Sequence, residues 1–270
     1  LLSIDEESTR NIAKTLDELN RDRRNIEDNI REEAEQIAAQ ILAKPQDGEQ
    51  FALCPYQPDW HEGVIGIVAA RLREQFHRPI IVFTKAEDGS IKGSGRSIPW
   101  FHIRDAIAKV DAQHPGLITK FGGHAAAAGL SLAREEDVPV FAAAFEAVAK
   151  SELQLSDLEE TIWSDGELGE GQACLDTALA IEQGGPWGRG FEPPLFHGTF
   201  EIADTRELRA NTVKCKVKKG NWALDAIWFR RSDTRTLEPG KRYALAYALS
   251  VNRWRGTERL QLRIEKVLES

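Results

Sequence analysis

The sequence predicts a chain of mixed class, α/β followed by all-β, and three observations carry that prediction. Residues 5–43 contain neither Gly nor Pro, and Ile12, Leu16, Leu19, Ile26, Ile30, Ile37 and Ile41 recur on one helical stripe. The next hundred or so residues alternate short β-type runs with amphipathic helical runs. After Pro194 the pattern changes to five β-type runs separated by turn residues.

The elements follow in order. Arg23 and Glu33 interrupt the seam that a coiled coil would need, so 5–43 is expected as one or two long helices packed on a neighbouring domain, closed by Pro45 through Gln50. Phe51–Cys54 reads as a short strand. From His61, the positions Val64, Ile65, Ile67, Val68, Leu72 and Phe76 are helical, with Asp59 as candidate cap and Pro79 as stop. Ile80–Phe83 is the continuous apolar run of a strand covered on both faces. Asp88-Gly89 marks a hairpin turn and Ile91–Ile98 the return strand. A helix is expected over Ile103–Val110. Leu117–Phe121 leads into a Gly122-Gly123-His124 loop, Gly129–Leu132 is a strand, and Glu135–Leu153 is an Ala- and Phe-rich helix. Further on, Cys174–Glu182 reads as a short helix and Gly184–Gly188 as a breaker cluster. Strands are expected over Leu195–Ile202, Thr212–Lys218, Ala223–Phe229, Tyr243–Val251 and Arg259–Val267. Five strands of this length suit a small closed barrel, of which the OB-fold is the common nucleic-acid-binding form.

The formal charge of −8 conceals an asymmetry. Residues 195–270 carry sixteen Lys and Arg against nine Asp and Glu, a net of +7, which leaves −15 on the other 194 residues. A basic C-terminal part suggests a polyanionic partner. Three distant Cys (Cys54, Cys174, Cys215) argue against a disulfide framework or a Cys-based metal site and fit a reducing cytoplasm. No apolar run approaches the length of a membrane span, so no membrane partner is expected. The chain lacks Met and starts at Leu1, which reads as a piece excised from a longer protein.

Three stretches carry candidate chemistry. In Lys120–Leu130, the Gly122-Gly123 pair permits close backbone approach by a ligand, and His124 brings a ring that can donate to an anion. A tight turn with a packed His is the alternative. In Lys92-Gly93-Ser94-Gly95-Arg96-Ser97, the two Gly are expected to leave backbone amides open, Ser94 and Ser97 offer hydroxyls, and Arg96 offers a planar fork suited to phosphate. This is neither a Walker loop nor a dinucleotide fingerprint, and a surface strand with a chance Gly-x-Gly is the competing reading. In Asp59–Gly63, His61 stands before an apolar helix whose free amides could hold an anion, or it is a buried structural His. In the C-terminal part, aromatic residues alternate with Lys and Arg. Lys214, Lys216, Trp228, Arg253 and Trp254 are the candidate strand-binding residues, near Arg230 and Arg231, although several rings must instead fill the barrel core. No His, Asp or Cys spacing of metal-ligand type occurs, and no nucleophile has a base beside it.

Four segments together resemble the RecJ family of DHH phosphoesterases, single-strand-specific 5′-to-3′ DNA exonucleases. They are Trp60–Ala69, Lys92–Ser97, Phe121–Gly129, and Gly185–Gly188 with Pro194-Leu195-Phe196. The resemblance implies a C-terminal portion of such an enzyme. Residues 1–45 would be the connecting helix, 46–155 the DHH-associated α/β domain and 156–270 an OB-fold-like nucleic-acid-binding domain. It implies that Mn²⁺ or Mg²⁺ is held by an N-terminal DHH domain absent from this sequence. It also implies that Ser94 and Arg96 hold a 5′-terminal phosphate, that Gly122, Gly123 and His124 line the cleft facing the metals, and that His124 contacts the scissile-side phosphate. Single-stranded DNA is the expected partner and single-strand binding protein a second. The alternative is a non-catalytic module that binds single strands or a partner protein.

Overall fold

The computed structural model describes residues 5–43, 48–188, 190–208, 212–229 and 235–268. Pro45, Arg230 and Arg231 lie outside them. The chain forms two compact units, Leu1–Glu160 and Thr161–Ser270.

In the first unit, α1 (Glu6–Ala43) is one long helix with Asp5 accepting the Glu7 N–H at its start. Its second half packs on α2 (Ile65–Phe76) through Ile30, Ala34 and Ala38, whereas Ile12, Leu16, Leu19 and Ile26 are exposed. Glu33, which interrupts the apolar seam in sequence, accepts a 2.9 Å hydrogen bond from the indole N–H of buried Trp60. The carboxylate is thus the attachment point of the segment that leads into α2.

Four strands form an antiparallel sheet in the order β1-β2-β4-β3, with β1 Ile80–Lys85, β2 Ile91–Arg96, β3 Ile118–Gly123 and β4 Ala127–Leu132. One face carries Ile81, Phe83, Ile91 and Leu130 into a core shared with α3 (Ile103–Gln113) and α4 (Asp137–Glu152), where Phe141 lies edge-on to Phe83 at 5.4 Å. On the other face, Ile80 and Val82 pack under α2 and α1. The strand expected at Phe51–Cys54 is reduced to isolated parallel bridges, Leu53 to Ile80 and Tyr56 to Phe83. The Leu53 N–H donates to Pro79 O, and the Leu53 and Pro55 carbonyls accept from Ile81 and Phe83, but Pro55 has no N–H to continue the ladder, and ahead of it the Glu146 carboxylate of α4 takes the N–H groups of Phe51 (3.0 Å) and Ala52 (2.7 Å).

The second unit is a closed barrel in the order β5-β6-β7-β9-β8, with α5 (Leu175–Gln183) packed on β8. Its strands are β5 Phe196–Leu208, β6 Thr212–Lys219, β7 Trp222–Phe229, β8 Arg242–Trp254 and β9 Thr257–Leu268. All pairings are antiparallel except β7 with β9. β5 and β8 run longer than sequence patterning predicts because each serves two neighbours. β5 pairs with β8 over residues 196–201 and with β6 over 201–208, and register shifts at Ile202/Asp204 and Ala246/Tyr247 let these strands bend around the barrel. Phe200, Tyr247 and Trp228 fill the interior.

Candidate nucleic-acid interface

The register of the sheet in the first unit builds a cleft. Across β2, β4 and β3 the Cα partners form the rows Lys92–Ser131–Lys120 and Ser94–Gly129–Gly122, and Arg96 pairs with Ala127. Directly paired residues share a face, so Lys92, Ser94 and Arg96 stand on the side opposite Ile91, Gly93 and Gly95. The alternation along β2 agrees, with buried and half-buried residues taking turns. α2 covers this face over β1 and β2. The remainder is open as a cavity of about 570 Å³, lined by Glu62, Gly63 and Ile65 on one side and by Lys92, Ser94, Lys120, Gly122, Gly129 and Ser131 on the other.

The glycines of the two motifs divide into two kinds. A Cβ on Gly93 would come within 2.6 Å of the Phe83 ring, and one on Gly95 within 2.7 Å of Ile103. These two are small because the core leaves no room. Their amides are not open as the sequence suggested, since β2 is paired on both edges, with β1 and β4. Gly122 is the opposite case. A Cβ there would meet nothing within 4 Å, so neither packing nor a positive φ demands glycine, and its lack of a side chain keeps the cleft floor bare. Gly123 has φ +141°, and a Cβ would lie 2.5 Å from the Ala127 carbonyl oxygen. Both Gly122 and Gly123 belong to β3, so the expected loop shrinks to His124–Ala126.

Arg96 is half-buried, and its guanidinium donates to its neighbour's carbonyl, Gly95 O, at 2.8 Å. It lies beside Ser94 over Gly66 of α2, where an added Cβ would stand 3.1 Å from Ser94 Oγ and 3.3 Å from Arg96 Nη2. Burial, and then the neighbouring Arg73, hold the Arg96 pKa below the usual guanidinium value. Among the described residues no carboxylate lies within ion-pair distance of Arg96 or Lys120, while Lys92 Nζ donates to Ser131 Oγ at 3.3 Å and its charge adds to the Ser90 hydrogen bonds that hold the Asp88 carboxyl below its ordinary pKa. A bound anion would supply the missing counter-charge.

His124 is exposed in the β3–β4 turn, where its backbone N–H donates to Ala127 O at 2.8 Å. It therefore sits at the Arg96 end of the sheet, beside Arg96's cross-strand partner. His61 has a structural task that the sequence left open: its Nδ1 accepts the Gly63 N–H at 3.0 Å, which leaves the proton on Nε2. His61 is exposed at the entry to α2 rather than buried. Asp59 does not cap that helix. The N-cap is Val64, with no side-chain bond to the first turn. Lys120, Arg73 and Glu62 were not foreseen as site residues. For Lys120 the usable signal is two-residue alternation, since it precedes Gly122 as Lys92 precedes Ser94.

In the barrel, Lys214 and Lys216 are exposed on β6, with cross-strand partners Arg206 and Ile227 for Lys214, and Asp204 and Asp225 for Lys216. Trp254 is 70% exposed at the β8–β9 hairpin, with the Arg255 guanidinium 5.8 Å from its ring centre. One expectation is corrected, and a second residue is found in ion pairs. Trp228 is 2% exposed and belongs to the barrel core, so it offers no face to a base. Arg253 is held by Glu182 at 2.6 Å and Glu258 at 2.8 Å, which raise its pKa and occupy the fork.

Among the described residues no three His, Cys, Asp or Glu side chains gather as a metal ion would require, and no helix is long and apolar enough to cross a membrane.

Comparison with known proteins gives matches to the DHHA1 domain over residues 48–151 and to the RecJ OB domain over residues 164–266. The single-stranded-DNA-specific exonuclease RecJ of Haemophilus influenzae is 40% identical over 99% of this chain and 47% of its own length. That of Escherichia coli K12 is 39% identical over 95% of this chain and 44% of its own length. The chain thus spans about half the length of the curated relatives it matches. The crystal structure of Thermus thermophilus RecJ in complex with Mn²⁺ is similar in fold, with a TM-score of 0.73 at 24% identity over 100% of this chain and 38% of that one. The same enzyme's Mg²⁺ complex gives 0.72.

Proposed function

The chain belongs to the RecJ family, and on that premise we propose that it is the substrate-gripping portion of a metal-dependent, single-strand-specific 5′-to-3′ DNA exonuclease. The observation that supports this most is Arg96, a half-buried guanidinium without a carboxylate partner, beside Ser94, whose own row continues into the bare glycines Gly129 and Gly122 of the cleft. Such a pocket suits a terminal phosphate: the Arg fork donates two parallel bonds and Ser94 Oγ a third. Bare Gly122 and Gly129 let the first sugar approach the sheet. His124, at the Arg96 end, is assigned to the scissile-side phosphate as a hydrogen-bond donor, and Gly123 shapes the turn that presents it. His61, with its proton on Nε2, is a lesser donor at the mouth.

The described residues do not fit a metal site. Mn²⁺ or Mg²⁺, which would supply Lewis-acid and water-activating chemistry, is assigned to protein outside them. In the barrel, Lys214, Lys216 and Trp254 follow the strand beyond its end, by backbone neutralisation and base stacking. Single-strand binding protein is the proposed protein partner, an acidic tail meeting the basic stretch 195–270.

The test is binding and cleavage by this chain alone. It should bind a 5′-phosphorylated single strand more tightly than the 5′-hydroxyl form, and Arg96→Ala should erase that difference. Equal loss on both ends would contradict terminal-phosphate recognition. Robust, chelator-sensitive degradation in Mn²⁺ by the isolated chain would overturn the division of labour.

A further inference from the structure

We propose that Trp100 is a stacking platform for a nucleobase that flanks the scissile-side phosphate. The assignment rests on reading Ser94 and Arg96 as the terminal-phosphate pocket and His124 as the donor beside it. Trp100 is 88% exposed and has φ +70°. Exposure of a single apolar side chain is ordinary, but exposure together with a left-handed backbone is not. Pro99 and Trp100 hold the centre of the turn that follows β2, and Gly meets a positive φ in a turn without strain. A bulky side chain there costs stability. The other two non-glycine residues with positive φ among those described have architectural reasons. His77 is the C-cap of α2, and Arg255 leads Gly256 in the two-residue β8–β9 hairpin. At Trp100 burial does not offset the strain. Ile98 and Phe101, on either side of the turn, carry the packing, and Phe101 stands edge-on to Phe145 at 5.9 Å. The fold thus holds an indole out in water.

The turn is fastened to the segment that carries His124. The Ser97 N–H donates to Ala126 O at 3.0 Å, the Ile103 N–H to Ala125 O at 3.1 Å, and Ser97 Oγ to Phe101 O at 2.6 Å. Trp100 therefore crowns the Arg96 end of the sheet, on the same side as His124. It lies four residues beyond Arg96 in sequence, at most roughly 14 Å along the backbone. A base one or two nucleotides from the held phosphate is within its reach. Stacking on an indole takes any base, so the contact orients the strand without selecting sequence.

The test uses the full 270-residue chain and a 5′-phosphorylated thymidine oligomer of fifteen nucleotides, labelled at its 3′ end and read by fluorescence anisotropy. Further oligomers carry one abasic residue, at nucleotide one, two or eight. Trp100→Gly should weaken binding roughly tenfold, while Tm holds or rises by up to roughly 4 °C. Trp100→Phe should recover most of the affinity and Trp100→Leu little of it. An abasic residue at nucleotide one or two should cost the parent a similar factor and Trp100→Gly less than about twofold, and the position that does so names the stacked base. At nucleotide eight the loss should be the same for both chains. Normal binding by Trp100→Gly, recovery by Trp100→Leu equal to that by Trp100→Phe, equal abasic losses in both chains at nucleotides one and two, or a fall in Tm that marks the indole as a packing group would each overturn the platform. If Arg96→Ala erases the preference for 5′-phosphorylated ends while Trp100→Gly binds normally, the stacking alone fails. If Arg96→Ala keeps that preference, the terminal-phosphate reading fails and the place assigned to Trp100 falls with it.

Discussion

Replacing Gly93 and Gly122 in turn by Ala separates architecture from ligand space, and the expected effects have opposite signs. At Gly93 the new methyl would meet Phe83 Cε1 at 2.6 Å, Phe83 Cδ1 at 2.9 Å and Leu130 Cδ2 at 3.0 Å. Phe83 has no exposed surface and is braced edge-on by Phe141, so it has nowhere to turn. Overpacking of this kind costs about 1–3 kcal/mol. Removing a glycine from a strand returns about 0.5–1 kcal/mol, so Gly93→Ala should destabilise by about 1–2 kcal/mol. For a unit of this size that is a fall in Tm of roughly 2–8 °C. At Gly122 nothing lies within 4 Å and φ is not positive, so the same entropic term stands unopposed and Tm should hold or rise slightly. The methyl would occupy the cleft floor instead, and affinity for a 5′-phosphorylated oligonucleotide should fall roughly tenfold, about 1.4 kcal/mol. Urea unfolding followed by Trp fluorescence, with fluorescence anisotropy for binding, measures both. A Gly93→Ala chain as stable as the parent, or a Gly122→Ala chain that loses stability and binds normally, would refute the assignment of the two glycines.

The remaining predictions concern single side chains. Trp228→Ala should cost the barrel about 3–5 kcal/mol in urea unfolding, whereas Trp254→Ala should change stability by less than about 0.5 kcal/mol and weaken single-strand binding by about 1–3 kcal/mol. Trp60→Phe keeps the ring but removes the donor to Glu33, and because water can reach the exposed Glu33 carboxylate, denaturant midpoints should report a loss of only about 0.5–1.5 kcal/mol. Burial, with Asp225 nearby, pushes the Cys215 thiol up to about 12, while a hydrogen bond from Thr177 holds Cys174 below its ordinary value. At pH 8 an aromatic disulfide reagent should therefore modify Cys174 early and Cys215 after unfolding. Because the folded pKa of Cys215 is the raised one, its contribution to stability is complete below 9.0 and declines as pH rises towards about 12, which alkaline unfolding curves will show.

Most elements were legible because their patterns are local. The Ile and Leu stripe fixed α1, Asp88-Gly89 placed the first hairpin, and five β-type runs with Gly turns gave the barrel. The misreadings share a cause: a partner distant in sequence decided the outcome. Phe51–Cys54 has β-type composition, but Glu146, about 95 positions away, takes the N–H groups of Phe51 and Ala52 and leaves only Leu53 to pair beside Ile80. Glu33 looked like a break in an apolar seam because Trp60, its donor, is 27 positions on. Gly122-Gly123 reads as a loop by propensity, yet pairing with Gly129 and Ala128 keeps both in a strand. Trp228 sits in the apolar run Ala226–Phe229 two positions from Arg230, whereas Trp254 stands between Arg253 and Arg255, and barrel closure turns the first inward and leaves the second exposed.

The candidate site was legible for a related reason, and its limits follow from the same geometry. Lys92-Gly93-Ser94-Gly95-Arg96 works as two interleaved sets because a strand sends alternate side chains to opposite faces. The glycines answer to Phe83 and Ile103, and the polar residues answer to the cleft. A motif read as one phosphate-binding unit therefore mixes packing with chemistry, and only the odd–even split separates them. The same split adds Lys120, which has no place in a linear motif but joins Lys92 once β4 is laid between β2 and β3. Net charge could not have shown this. A chain of −8 with its acidic surplus outside residues 195–270 still sets Lys92 and Lys120 in the lining of one hollow, with Arg96 beside Ser94 of that lining and Arg73 near Arg96. A phosphate entering that hollow responds to charges a few ångströms away, because those beyond roughly 8–10 Å are screened at physiological salt.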